Sequence, residues 1–223
     1  MSVKAYGSQS AEYLLIQPVD DHDLAEMDIE VAAIQERVKK PFLLVPVPVA
    51  SWNGDLSPWP APPVFGNEAF GSGARNMLEK IVKEVIPSIK TEYDLPQGVK
   101  LILGGYSLAG LFALWSGYET DAFDGIAAAS PSVWFPGFLD YAKQRPLRAK
   151  AACLSLGDRE ERTRHPVMRQ VGDCIRALYD HYKESPDLAA TLEWNEGNHF
   201  RDAGLRTAKA FSWVMETLRT GDQ

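Results

Sequence analysis

Cysteine is scarce: Cys153 and Cys174 are the only two in 223 residues. One stands in an apolar run and the other inside a helical pattern. Both therefore read as buried thiols, and neither a disulfide nor a cysteine-built metal site is expected. Long apolar runs are missing as well. None approaches the roughly 18 residues of a membrane span, and the opening MSVKAYGSQSAEY lacks the apolar core of a signal peptide. A cytoplasmic, reducing location and no membrane partner are the expectation. Basic charge is in deficit. The net charge is −7, and the densest group of arginines, in residues 159–164, is interleaved with acids. That argues against nucleic acid, whose phosphates such a surface repels. Nothing in the sequence asks for a cofactor or a metal.

What is there is an ordinary globular composition, 45% hydrophobic and 24% charged, in a chain long enough to bury a full core. Residues 1–223 read as one domain. Short apolar runs predict strands at 13–17, 42–47, 99–103, 125–129, 151–156 and 191–195. Leu24, Met27, Val31, Ile34 and Val38 have helical spacing and predict a helix over 22–38. Further helices are expected over 72–93, with Pro87 as the point where it would break, and over 108–118, 167–183 and 202–218. The stretch SWNGDLSPWPAPPVFG at 51–66 is expected to be irregular because of its prolines. Alternating strands and helices with short loops predict an α/β fold. Its sheet is mainly parallel, of about six strands, with helices on both faces. Residues 134–150 leave room for one short helix, so no large lid is expected.

The most informative segment is LILGGYSLAGLF at 101–112. A buried strand runs directly into a helix, with Ser107 at the turn and small residues two positions away on either side. A sharp turn of this kind strains the central residue and admits only small neighbours. It presents the hydroxyl at the strand's C-terminal end, beside a helix N-terminus that stabilises developing negative charge. Ala109 stands where the usual Gly-x-Ser-x-Gly pattern has its second glycine. The alternative is a serine capping an ordinary helix, and the strand–turn–helix context favours a nucleophile.

This segment, with ASPSVWF at 129–135 and GNHF at 197–200, resembles the esterase branch of the α/β hydrolases, which includes esterase D-like and siderophore-esterase-like enzymes. The resemblance runs from about residue 101 to the C-terminus. The first hundred residues match only in the order of their elements, and the first strands of larger members have no evident counterpart. It implies a single-domain α/β-hydrolase fold and hydrolysis of a small-molecule carboxylic ester through an acyl-enzyme on Ser107. Acyl transfer to an alcohol on the same fold is an alternative, as is a binding protein that has kept the fold without the activity.

In that fold the catalytic groups follow the chain order serine, acid, histidine. Of His22, His165, His181 and His199, only His199 falls between the last expected strand and the last helix. Gly197 and Asn198 suit a turn that carries its imidazole over the sheet edge. The resemblance places the acid three residues after a glycine, which lands on Glu160 in GDREER. Asp158, nearer the strand end, is the rival, and a solvated loop of paired charges is the third reading. Some siderophore-esterase-like relatives work with serine and histidine alone. One oxyanion donor is expected to be the Leu108 N–H, and the other Val19 or Asp20, because Pro18 has no N–H. Trp52, Asn53, Asp55, Trp59 and Trp134 lie in loops on the C-terminal side of the sheet, where open parallel sheets bind ligands. They serve either as pocket walls or as cover for the sheet edge.

Overall fold

The computed structural model describes residues 4–64 and 66–220. Among these, one seven-stranded sheet organises the chain: β1 (Tyr6–Gly7), β2 (Tyr13–Val19), β3 (Phe42–Pro48), β4 (Lys100–Tyr106), β5 (Gly125–Ala129), β6 (Ala151–Gly157) and β7 (Ala189–Asn195). The order is β1-β3-β2-β4-β5-β6-β7. Every pairing is parallel except β1 with β3. The seventh strand, β1, is absent from the sequence-based expectation, since two residues are too few to leave a periodic signal.

The strands read as continuous apolar runs because both faces are covered. On β2, Leu14 and Ile16 enter one buried cluster and Tyr13 and Leu15 the other, as the two-residue period requires. Helix α1 (Asp21–Arg37) and the C-terminal helix (Ala203–Thr220) cover one face through Met27, Ile34, Phe211 and Val214. A capping box starts α1: the Asp23 N–H donates to Asp20 Oδ1 at 2.8 Å, and the Asp20 N–H to Asp23 Oδ2 at 3.4 Å.

Two stretches differ from expectation. The proline-rich segment opens with a short helix, α2 (Trp52–Leu56), capped by Ser51, whose Oγ accepts the Gly54 N–H at 3.1 Å. The prolines begin only after it, and Phe65 lies outside the described residues. Pro87 does not break its helix. The chain runs through α3 (Ala74–Lys80), a π turn (Ile81–Val85) and α4 (Ile86–Glu92). A proline ring in a helix crowds the carbonyl four residues earlier, and a widened turn directly before Pro87 relieves that clash. Helix α5 (Ser107–Glu119) follows β4, and α6 (Phe138–Lys143) is the short helix in the segment without a lid. A 3₁₀ turn (Met168–Gln170) leads into α7 (Val171–Lys183), and the C-terminal helix is α8. Cys153 is buried and Cys174 half-buried, and they are not bonded to each other. No helix among the described residues is long and apolar enough to cross a membrane.

From β2 the chain steps outward to β3, then returns across β2 to β4. The direction of winding therefore reverses between β2 and β4, and the crevice at their C-terminal ends is where such sheets bind ligands. Ser107 begins there.

Candidate active site

Strand β4 hands directly to α5 at Tyr106-Ser107, and Ser107 takes a left-handed backbone at φ 56°. Only strong local constraint holds a serine there. Its source is visible at Gly105, where an added Cβ would stand 2.7 Å from the Ala109 Cβ. Gly105 provides the space that Ala109 fills, so alanine replaces the usual glycine without displacing the turn. Leu108 follows in the first turn of α5, where backbone N–H groups have no acceptor inside the helix.

The partners arrive from two strands further along the sheet. Loops after β6 and β7 are zipped together: the Asp158 N–H donates to the Asn195 carbonyl at 2.8 Å and the Arg159 N–H to the Gly197 carbonyl at 3.1 Å. Asp158 Oδ1 accepts the Gly197 N–H at 2.8 Å. The β7 loop swings His199 back over the sheet, with Gly197 at φ 107°. His199 Nε2 lies 3.0 Å from Ser107 Oγ, and Nδ1 lies 2.7 Å from Glu160 Oε2. Of the two rival carboxylates, Glu160 meets the imidazole, whereas Asp158 supports the loop that carries it.

Glu160 is 7% exposed. Its Oε1 accepts from Ser130 Oγ at 2.7 Å, the Gly157 N–H at 2.7 Å and Arg206 Nη1 at 2.9 Å. Burial pushes the carboxyl up, but the bond and charge of His199 and the Ser130 and Gly157 bonds outweigh it and hold Glu160 below its ordinary range. An imidazole so held carries its proton on Nδ1 and leaves Nε2 free to take the serine's. Ser132 also belongs to the site: its Oγ is 3.4 Å from Ser107 Oγ, and its N–H donates to the Ser107 carbonyl at 3.0 Å.

The remaining sequence candidates are placed less simply. The Asp20 N–H is taken by Asp23 in the capping box. Val19 pairs with Pro48, which has no N–H, so that pairing runs through Val19's own backbone groups; its carbonyl accepts the Val49 N–H at 3.0 Å. Both N–H groups proposed for the second oxyanion donor are thus engaged. Trp59 Nε1 donates to the Pro136 carbonyl at 2.8 Å, and its ring packs on Phe135 and Tyr141, so it anchors the segment before α6. The Asn53 amide donates to the Glu68 carbonyl at 3.4 Å. Asp55 Oδ2 accepts the Ser51 N–H at 3.0 Å. Trp52 is half-buried against the core, and Trp134, two residues past Ser132, meets Phe70 edge-on.

Sequence reasoning missed Ser130 and Arg206. Ser130 falls inside the quoted ASPS motif, where only the resemblance had been noticed. Arg206 continues the stripe Ala210, Val214, Leu218, all buried, and a charged residue in an apolar stripe was the available signal.

A mainly parallel sheet with a serine on a strained strand-to-helix turn, met by an imidazole and a carboxylate from later loops, defines a serine hydrolase of the α/β-hydrolase type. The family model described as "Putative esterase" matches residues 6–201, and the chain belongs to that esterase family. The match includes the N-terminal region in which sequence reading found only the order of elements. The siderophore hydrolase EstA from Aspergillus nidulans is similar in fold, with TM-score 0.71 at 21% identity over 97% of this chain and 85% of that one. So is an IroE-like serine hydrolase from Shewanella oneidensis, with TM-score 0.75 at 18% identity over 94% and 72%. The enterobactin esterase FES from Shigella flexneri matches with TM-score 0.64 at 14% identity over 98% and 60%. Comparison with curated proteins gives no match.

Proposed function

We propose that this esterase cleaves a small-molecule carboxylic ester through an acyl-enzyme on Ser107. His199 Nε2 takes the hydroxyl proton as Ser107 Oγ attacks the carbonyl carbon, and Glu160 holds the imidazolium that forms. The Leu108 N–H faces the developing oxyanion. The alkoxide leaves with the proton from His199, and water, deprotonated by the same imidazole, then releases the acid. The observation that carries this reading is the unbroken row Ser107 Oγ, His199 Nε2, His199 Nδ1, Glu160 Oε2, with contacts of 3.0 and 2.7 Å. Trp134 and Phe200 are the apolar contacts we assign to substrate; Phe200 is 86% exposed and edge-on to His199, 5.6 Å between ring centroids. The names of the structural neighbours make a siderophore-type ester the first substrate to try. The two thiols, not bonded to each other, suit a reducing cytoplasm. The test is labelling by a fluorophosphonate probe together with hydrolysis of p-nitrophenyl esters. Wild type is expected to label and turn over, and a folded Ser107→Ala variant to do neither. Ser107→Ala that keeps more than a few per cent of the activity refutes the assignment.

A further inference from the structure

Arg206, one turn into α8, is 2% exposed, among the most buried large side chains of the molecule. A guanidinium is kept from water only where its donors and charge are matched. Here Nη1 donates to Glu160 Oε1 at 2.9 Å and to the Tyr106 hydroxyl at 3.1 Å, with Ser130 Oγ at 3.4 Å. Nη2 donates to the Glu196 carbonyl at 3.0 Å. The Tyr106 hydroxyl in turn donates to the His199 carbonyl at 2.7 Å.

From this geometry we propose that Arg206 is the positioning residue of the site: one cation helps to keep Glu160 ionised, beside the bonds from His199, Ser130 and Gly157, and clamps both ends of the segment that carries His199. The proposal rests on the hydrolase reading above. The clamp is direct at Glu196 and passes through Tyr106 at His199, so the four-residue segment 196–199 is held at both ends from a helix. The electrostatic part follows from what surrounds the carboxylate. Among the described residues, the titratable or charged groups facing Glu160 are His199, Tyr106 and Arg206. Burial and the charge of Glu160 push the tyrosine up to about 12, so it stays neutral. Arg206 is therefore the standing positive charge in the cluster. It also saturates Oε1 together with Ser130 and Gly157, which leaves Oε2 for the imidazole. Without it, a buried carboxylate keeps its proton to higher pH, and the Glu160–His199 pair releases a proton later.

Arg206→Met removes charge and clamp, whereas Arg206→Lys keeps the charge and loses the fork. In Arg206→Met we expect kcat to fall about 10²–10³-fold with KM little changed. The acid limb of kcat/KM should move up by about one pH unit or more, the size of an opposite charge within a few ångströms. Arg206→Lys should leave the limb in place and restore part of kcat. In a Glu160→Gln background, Arg206→Met should cost less than it does in wild type, because the part of its role that acts through the carboxylate is already gone and only the clamp at Glu196 and Tyr106 is left to lose. NMR titration of the His199 imidazole in the same variants reads the pair without turnover. A moved midpoint with no Ser107-dependent hydrolysis would overturn the hydrolase reading and leave Arg206's role standing. An unmoved limb and midpoint in folded Arg206→Met, or losses that multiply in the double variant, overturn the proposal. Should Arg206→Met fail to fold, Arg206→Lys decides alone, and a limb displaced by about a unit there refutes the charge role.

Discussion

Glu160→Gln exchanges one oxygen for a donor, and the structure says where that donor must go. Oε1 receives three hydrogen bonds, from Ser130, Gly157 and Arg206, whereas Oε2 receives His199 Nδ1 alone. A glutamine that turned its amide nitrogen toward the first three would set donor against donor, at about 1–3 kcal/mol for each buried group left unmatched. Its carbonyl therefore stays at Oε1 and its NH₂ faces His199. The imidazole must then accept at Nδ1 and carry its proton on Nε2, pointing at Ser107 Oγ, and it cannot take the serine's proton. A wrong-tautomer lesion of this kind drops kcat about 10⁴-fold in the serine-protease triad, which corresponds to roughly 5.5 kcal/mol of lost transition-state stabilisation. Asp158→Asn is the control. That carboxylate is half-exposed, its nearest cation is Arg159 at 4.0 Å, and asparagine retains the oxygen that accepts from Gly197. Its rate should stay within about threefold of wild type, since exposed pairs of this sort are worth about 1 kcal/mol or less. The assay is kcat on a p-nitrophenyl ester at 25 °C, with circular dichroism to establish that each variant is folded. Glu160→Gln retaining a tenth of the wild-type rate would refute the tautomer argument. A crippled Asp158→Asn would transfer the role of acid, and two variants near the wild-type rate would mean that serine and histidine act without a carboxylate.

Because Glu160 is held below the usual carboxylate range, it is ionised at neutral pH. Activity should be present at neutral pH and fall as pH drops along a limb of slope one; a slope of two in log kcat/KM would show Glu160 titrating with the imidazole. Glu30 presents the opposite case. Complete burial pushes its carboxyl up to about 8, against only one bond from Gln17, and its Oε1 has no partner. The folded state holds this proton more tightly than the unfolded chain, so stability falls as pH rises from about 4.5 to about 8. Glu30→Gln should remove that decline and add on the order of 3–5 kcal/mol at pH 8, read by urea unfolding; an unchanged pH slope would refute it. At the turn, Gly105→Ala drives a Cβ against Ala109. It should destabilise by about 1–3 kcal/mol and depress kcat, and the added change Ala109→Gly should recover both. Failure of that rescue would show that the pair does not set the turn.

The nucleophile turn was legible because it is local: a buried strand, a left-handed serine and two small neighbours are consequences of sterics within a dozen residues, and LILGGYSLAGLF states them all. The strand–helix alternation was legible for the same reason, since periodicity is a property of consecutive residues. His199 could be singled out by chain order, but its reach to Ser107 depends on two loops, from β6 and β7, bonding to each other across the gap. The choice between Glu160 and Asp158, two residues apart and chemically alike, was decided only when the loop packed one carboxylate inward beneath Ser130 and Arg206 and turned the other to the Gly197 N–H. Arg206 stands out along the chain only as a charge in an apolar stripe, and its role waits for α8 to be laid on the sheet, because nothing in its neighbours names a partner 46 residues away. Local stereochemistry wrote the turn into the sequence; the balance of burial against hydrogen bonding that selects the acid and its cation exists only once distant segments share one interior.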